Sequence, residues 1–118
     1  MKTTLKIATI LLLMTSCVQK SYKRVVVITL DVSKVKNIQS VGIRGEGKPL
    51  NWETDYPMQE IVKDHLYKAI LTANTGYLFA EGKCTVNGNF ELQNKPNRRI
   101  LFDTKKDTTS VHLVFDKE

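Results

Sequence analysis

Proline and glycine are scarce in this chain, at three and six of 118 residues. That is too few for a collagen-like or disordered polypeptide. No apolar run approaches the ~20 residues that a membrane-spanning helix needs, and the length leaves room for one hydrophobic core, which excludes a multidomain enzyme. Acidic residues are the minority charge, 12 Asp and Glu against 18 Lys and Arg, for a net +6. A basic excess raises nucleic acid or anionic lipid as a partner, and the position of the cations favours the second.

Two of those cations, Lys2 and Lys6, precede an apolar run from Ile7 to Met14, and Thr15 and Ser16 are small residues directly before Cys17. This is the layout of a secretory signal. Met14-Thr15-Ser16-Cys17 also resembles the lipobox of bacterial lipoproteins, in which small residues let the processing site close around a cysteine whose thiol is lipidated; Met stands where Leu is usual. The resemblance implies a signal peptide over 1–16, a lipid anchor and tether over 17–21, and a folded domain over 22–118. An ordinary signal peptide with a chance cysteine is the plainer alternative.

Removing 1–16 takes two cations and no acid, so the remaining excess is modest. Lys20, Lys23 and Arg24 then sit beside the anchor, where anionic headgroups attract them. Val18 to Ser21 reach roughly 13 Å fully extended, so the domain is expected to lie against a membrane. No acidic cluster follows Cys17, as it does in some surface-exported lipoproteins, which favours the periplasmic face of an outer membrane. Nucleic acid is not an expected partner there.

Lipidation of Cys17 leaves Cys84 without a disulfide partner, and nothing in Gly82-Lys83-Cys84-Thr85 supplies a base or a helix N-terminus to activate it. Cys84 is therefore expected to be a buried small hydrophobe.

The mature chain reads as strands. Tyr22 to Val32 is dense in β-branched residues and open to cover on both faces, and Ile38 to Arg44 gives a second, short strand. Gly45 to Pro57 is a long turn region carrying the only Trp. Met58, Val62, Leu66 and Ile70 recur every four residues, as in a helix. Alternation instead predicts a turn at Lys63-Asp64 and a strand from His65 to Ala73 with Tyr67, Ala69 and Leu71 on one face.

From Tyr77 to Val86, Leu78, Ala80, Cys84 and Val86 share one face, and Tyr77, Phe79, Glu81, Lys83 and Thr85 the other. Asn87-Gly88 is a two-residue hairpin signal leading to a short strand over Asn89 to Leu92. Strands at Arg99 to Phe102 and Thr109 to Phe115 complete about seven, the last with Val111, Leu113 and Phe115 inward. The pattern predicts an all-β, immunoglobulin-like antiparallel β-sandwich.

Catalytic sets are missing. The sequence has no HExxH, CxxC, GxGxxG, P-loop or GxSxG motif, and His65 and His112 lie near no Ser or Cys nucleophile in this topology. Glu46, Glu53 and Asp55 read as solvated turn residues rather than a glycosidase pair, which needs two carboxylates held in a cleft. No enzyme activity, metal or cofactor is expected.

Three segments do carry a signal: Leu50-Asn51-Trp52 in the long loop, the hairpin from Glu81 to Glu91, and Pro96-Asn97-Arg98 after it. In order and spacing they resemble the starch-binding and glycogen-binding carbohydrate-binding modules, families 20 and 48, over nearly the whole domain. The resemblance implies non-catalytic binding of an α-glucan or related polysaccharide, with Trp52 and Phe90 stacking on glucose rings and Lys83 and Asn97 donating hydrogen bonds to hydroxyls. Apolar C–H faces packing on flat π surfaces, with charged and amide donors fixing orientation, fit those residue types.

The sequence departs from the pattern at four places. Phe90 replaces a usual Trp, Cys84 a common Phe, and Gly82 an aromatic, and the turn from Phe90 to Asn97 is about two residues longer. Tyr56 and Tyr67 offer further platforms. The competing expectation is an envelope protein-interaction module that has lost the sugar face, with Trp52 a packing plug and Lys83 merely solvated. The two readings differ in whether Trp52 and Phe90 are exposed and adjacent, or buried apart.

Overall fold

The computed structural model describes residues 20–118, so the proposed signal peptide and the lipidation site at Cys17 lie outside the described residues. Within them the protein is all-β, with two facing sheets around one core. The strands are β1 (Tyr22–Asp31), β2 (Val41–Gly45), β3 (Tyr56–Pro57), β4 (Gln59–Val62), β5 (Leu66–Thr75), β6 (Phe79–Val86), β7 (Asn89–Phe90), β8 (Arg98–Leu101) and β9 (Thr108–Val114). The first sheet runs β4-β5-β1-β9 and the second β3-β2-β6-β7, with β8 also on β6.

Among the described residues nine strands replace the expected seven: the hairpin strand expected over Asn89 to Leu92 is present but shorter, as β7, and the two additions are β3, within the region read as a long turn, and β4, within the segment of helix-like spacing. Pairing is antiparallel except between β1 and β9, which run parallel from Val25↔Thr108 to Asp31↔Val114. The chain crosses from β8 in one sheet to β9 in the other, and enters beside β1 in the same direction.

In β1, the alternating Val26, Ile28 and Leu30 are buried, while Val25, Val27 and Thr29 on the opposite face are only half-buried. The strand is thus covered on one face, not both. Tyr67, Ala69 and Leu71 of β5 meet the same core. Asp64 takes a left-handed backbone (φ 56°) in the turn between β4 and β5, which breaks the helical spacing: Met58 is buried, whereas Val62 and Ile70 are about half exposed. Leu78, expected inward, is 60 % exposed. It lies before β6, where its carbonyl accepts from the Phe102 N–H at 2.9 Å.

Asn87 and Gly88 both have positive φ, 54° and 77°, as a type I′ hairpin requires. The Asn87 side chain fastens that turn to the segment before β2, accepting from the Gln39 and Ser40 N–H groups and donating to the Asn37 carbonyl. Ile28, Leu30 and Ile43 are fully enclosed, each contributing about 1.5–3 kcal/mol by leaving water. The core and the hydrophobic residues packed on it lie between Val26 and Phe115. Residues 18–118 hold all of the described core.

Candidate functional site

The outer face of the second sheet is built around a missing side chain. Gly42 faces Thr85 across the β2–β6 pair, and Arg44 faces Lys83. A Cβ at Gly42 would stand 2.7 Å from the Asp55 Cβ, so only glycine lets the long loop after β2 settle here. Asp55 then accepts from Arg44 Nε at 2.6 Å and from the Thr85 hydroxyl at 2.9 Å, and Thr85 is completely buried although its strand face points out of the sandwich. Asp55 is thus a structural anchor, contrary to its expected role as a solvated turn residue.

The same loop presents Trp52. Asn51 Oδ1 accepts from the N–H groups of Glu53 and Thr54 at 2.9 and 2.8 Å, an Asx turn that fixes the backbone around the indole. Trp52 Nε1 donates to Glu46 Oε2 at 2.9 Å, so Glu46 also has a partner. Trp52 is partly buried. Its centroid lies 6.2 Å from that of Phe90, with the planes tilted by 56°. Arg44 supports Phe90 from within the sheet, its guanidinium carbon 5.2 Å from the ring centroid, in cation–π range.

Beyond Phe90 one more bond, from the Glu91 N–H to the Cys84 carbonyl at 3.0 Å, holds the chain to β6; Glu91 and Leu92 are buried, and residues 93–97 form an exposed loop before β8 rejoins β6. A buried ion pair closes its base. Arg98 Nη2 donates to Glu91 Oε1 at 2.7 Å and Arg98 Nε to Glu91 Oε2 at 2.8 Å. The Cys84 N–H adds a third bond at 2.7 Å and Asp116 N–H a fourth at 3.2 Å. Burial alone pushes the Glu91 carboxyl up, but the Arg98 bonds and these two amides together hold it below its ordinary value. Cys84 is fully enclosed, and burial drives its thiol well up, with the Glu91 charge adding to the effect. An inert thiol is the result, as expected.

Lys83 completes the support. Its Nζ donates to the carbonyls of Leu92 and Lys95, both at 2.9 Å, leaving one of three N–H bonds free for a ligand. The extra loop length is taken up by left-handed residues at Leu92 (φ 50°) and Asn94 (φ 63°), and Asn97 still arrives at the site.

Trp52, Lys83, Phe90 and Asn97 all line one hollow of about 500 Å³, together with Gly88, Asn89, Gln93 and Asn94. The four residues singled out in the sequence are thus brought together, and Trp52 and Phe90 are adjacent rather than apart. Tyr67 is no platform: it is buried, with its hydroxyl donating to Glu60 Oε2. Tyr56 is tied down too, through a bond to the Ile70 carbonyl. His112 is exposed and paired with Thr29 Oγ1 at 2.9 Å, and His65 stands 3.7 Å from Asp31. Among the described residues no group of His, Cys, Asp and Glu is arranged to hold a metal.

Sequence reasoning missed the roles of Arg44, Glu46, Asp55 and the Glu91–Arg98 clasp. One signal was present: alternation along β2 puts Arg44 outward two residues after Gly42.

No known protein family matches the sequence, and no curated protein matches it. Among solved structures, the fold is similar to the Glycoside Hydrolase Family 15 glucoamylase from Hypocrea jecorina, with a TM-score of 0.63 and 16 % identity. The match covers 84 % of this chain and 18 % of that one. At this identity the likeness concerns the fold.

Proposed function

We propose that the protein is a non-catalytic α-glucan-binding module, held at the cell envelope by a lipid on Cys17. The observation that carries this reading is the Trp52–Phe90 pair, two partly buried residues whose rings lie 6.2 Å apart and tilted by 56° over a hollow rimmed with amides. Each ring offers a flat face to the C–H surface of a sugar. Two faces at this tilt follow the curve of an α-linked glucose chain better than the flat ribbon of a β-1,4 glucan. Asn97 and the free N–H of Lys83 supply donors for hydroxyls. The fold shared with part of a glycoside hydrolase supports a carbohydrate-related role.

Few contacts and an open surface imply weak binding, on the order of −4 to −6 kcal/mol. The test is affinity electrophoresis of residues 18–118 in gels containing amylopectin or glycogen, with Trp52→Ala alongside. Retardation that disappears in the variant is the expected result. Equal mobility of the folded wild type with and without either polysaccharide overturns the glucan reading.

The envelope part of the proposal has its own support. Tyr22, Tyr77, Leu78 and Leu101 are 53 %, 74 %, 60 % and 68 % exposed and cluster at one end of the sandwich, where Tyr22 pairs with Thr75 and Phe79 with Leu101. This is the end that follows Cys17 by five residues. With ~3.3 Å per residue along β6, Thr85 beside Phe90 lies roughly 20 Å from Phe79, so a module seated on this end holds its sugar face away from the bilayer. Incorporation of labelled palmitate into the full chain, lost in Cys17→Ser, tests the anchor. A palmitate-free chain contradicts it.

A further inference from the structure

A second concavity, of about 530 Å³, opens between the two sheets near the start of β1 and β6. Its size falls within the usual range for small-molecule sites. Val26, Leu50, Leu71 and Phe102, all buried core residues, form its floor with Ala73 and Ala80. The hollow under Trp52 shares none of these residues.

Arg24 stands in the wall of this cavity in an unusual state. Its Nη1 donates to the Asp103 carbonyl at 3.1 Å, a neutral acceptor, and its guanidinium lies 5.3 Å from the Tyr22 ring centroid and 5.8 Å from that of Phe102. No carboxylate among the described residues forms an ion pair with it. Its Nε is fully buried and has no hydrogen-bond partner. A buried donor left unpaired is unfavourable, and a half-buried cation without a counter-ion more so. The two carboxylates on the cavity rim are otherwise engaged, Glu46 with Trp52 Nε1 and Glu81 with Arg99. A fixed cation beside an apolar floor is complementary to one class of molecule.

We infer that this cavity binds an anionic amphipath, an alkyl chain lying on the Val26–Leu71 floor with its carboxylate or phosphate head hydrogen-bonded to Arg24. The ligand supplies the charge that the guanidinium lacks, meeting it at Nη2, since Nε is closed off within the protein and Nη1 is engaged by Asp103. A free fatty acid and a single-chain phospholipid share this chemistry. The inference does not depend on glucan binding, since the two concavities are lined by different residues.

The test is calorimetry of residues 18–118 with monomeric laurate and with dodecyl phosphate, each below its micelle concentration, against dodecanol as an uncharged control. Arg24→Gln removes the cation and Ala73→Phe fills the cavity, with folding of each variant checked by circular dichroism. Saturable one-to-one binding of an anionic probe is expected, weakened roughly tenfold or more by Arg24→Gln and abolished by Ala73→Phe. The tighter of the two anionic probes identifies the head group. Absence of saturable binding, or binding that both variants leave unchanged, overturns the inference, and so does dodecanol binding as tightly as laurate.

Discussion

Arg98 grips Glu91 through two parallel hydrogen bonds of 2.7 and 2.8 Å, with Glu91 wholly buried and the Arg98 side chain only 11 % exposed. The pair closes the base of the loop that carries Asn97. Arg98 Nη2 also donates to the carbonyls of Val114 and Lys117, and Leu92 N–H donates to Asp116. The loop beside Trp52 and Phe90 and the last strand are thus fastened at one point.

Breaking this pair from one side leaves a buried charge uncompensated. Arg98→Met is expected to destabilise the fold by about 3–5 kcal/mol, read as a shift in the urea midpoint. A loss within experimental error contradicts the role given to the clasp.

The clasp also sets an acid limit. The folded-state carboxyl of Glu91 is held below the ordinary value of 4.5, so near and below that value the unfolded chain takes up a proton more readily than the folded one. The contribution of Glu91 is therefore complete above about pH 4.5 and is lost as the pH falls through the folded value. Thermal melts from pH 7 to pH 3 are expected to show this decline, and Glu91→Gln to flatten it. Asp31, also lowered by its bonds to Ser33, acts in the same window, and Asp31→Asn separates the two.

In the proposed glucan site Lys83 acts chiefly through the loop. Its Nζ holds the Leu92 and Lys95 carbonyls, and charge-assisted hydrogen bonds contribute about 1.5–3 kcal/mol each. Lys83→Met is expected to weaken glucan binding roughly tenfold or more and to speed amide exchange across 92–97. Weakened binding with unchanged exchange would instead mark a direct contact only.

Gly42 makes a different prediction. A methyl group there meets the Asp55 Cβ at 2.7 Å, so Gly42→Ala must displace the loop that holds Trp52. Overpacking of this kind costs about 1–3 kcal/mol. Glucan affinity should fall with stability in Gly42→Ala, and an intrinsic Trp52 emission spectrum identical to that of the wild type argues against any displacement.

Much of this was legible in the sequence because the signals are local. The alternation of Tyr67, Ala69 and Leu71 and the Asn87-Gly88 turn depend on neighbours in the chain, and both appear in the structure. The convergence of Trp52, Phe90 and Asn97 was implied by the resemblance to starch-binding modules, not by any pattern local to these residues. The parallel pairing of β1 with β9 joins residues more than eighty positions apart, and no local pattern encodes it. Burial of Glu91 was hidden for the same reason: a carboxylate goes inside only where Arg98 and two backbone amides converge on it. Asp55 looked solvated because its partners, the Arg44–Thr85 pair, come from across the sheet, whereas Glu46 is exposed as expected and only its bond to Trp52 was missed.

The central claim is that Trp52 and Phe90 together form a stacking face for glucose. Calorimetric titration of residues 18–118 with β-cyclodextrin, a closed ring of α-linked glucose, tests it most directly, using Trp52→Ala and Phe90→Trp as variants. The account predicts one-to-one binding on the order of −4 to −6 kcal/mol, lost in Trp52→Ala and strengthened in Phe90→Trp by the larger ring. A folded wild type that gives no saturable heat, or a Trp52→Ala variant that binds as the wild type does, contradicts it.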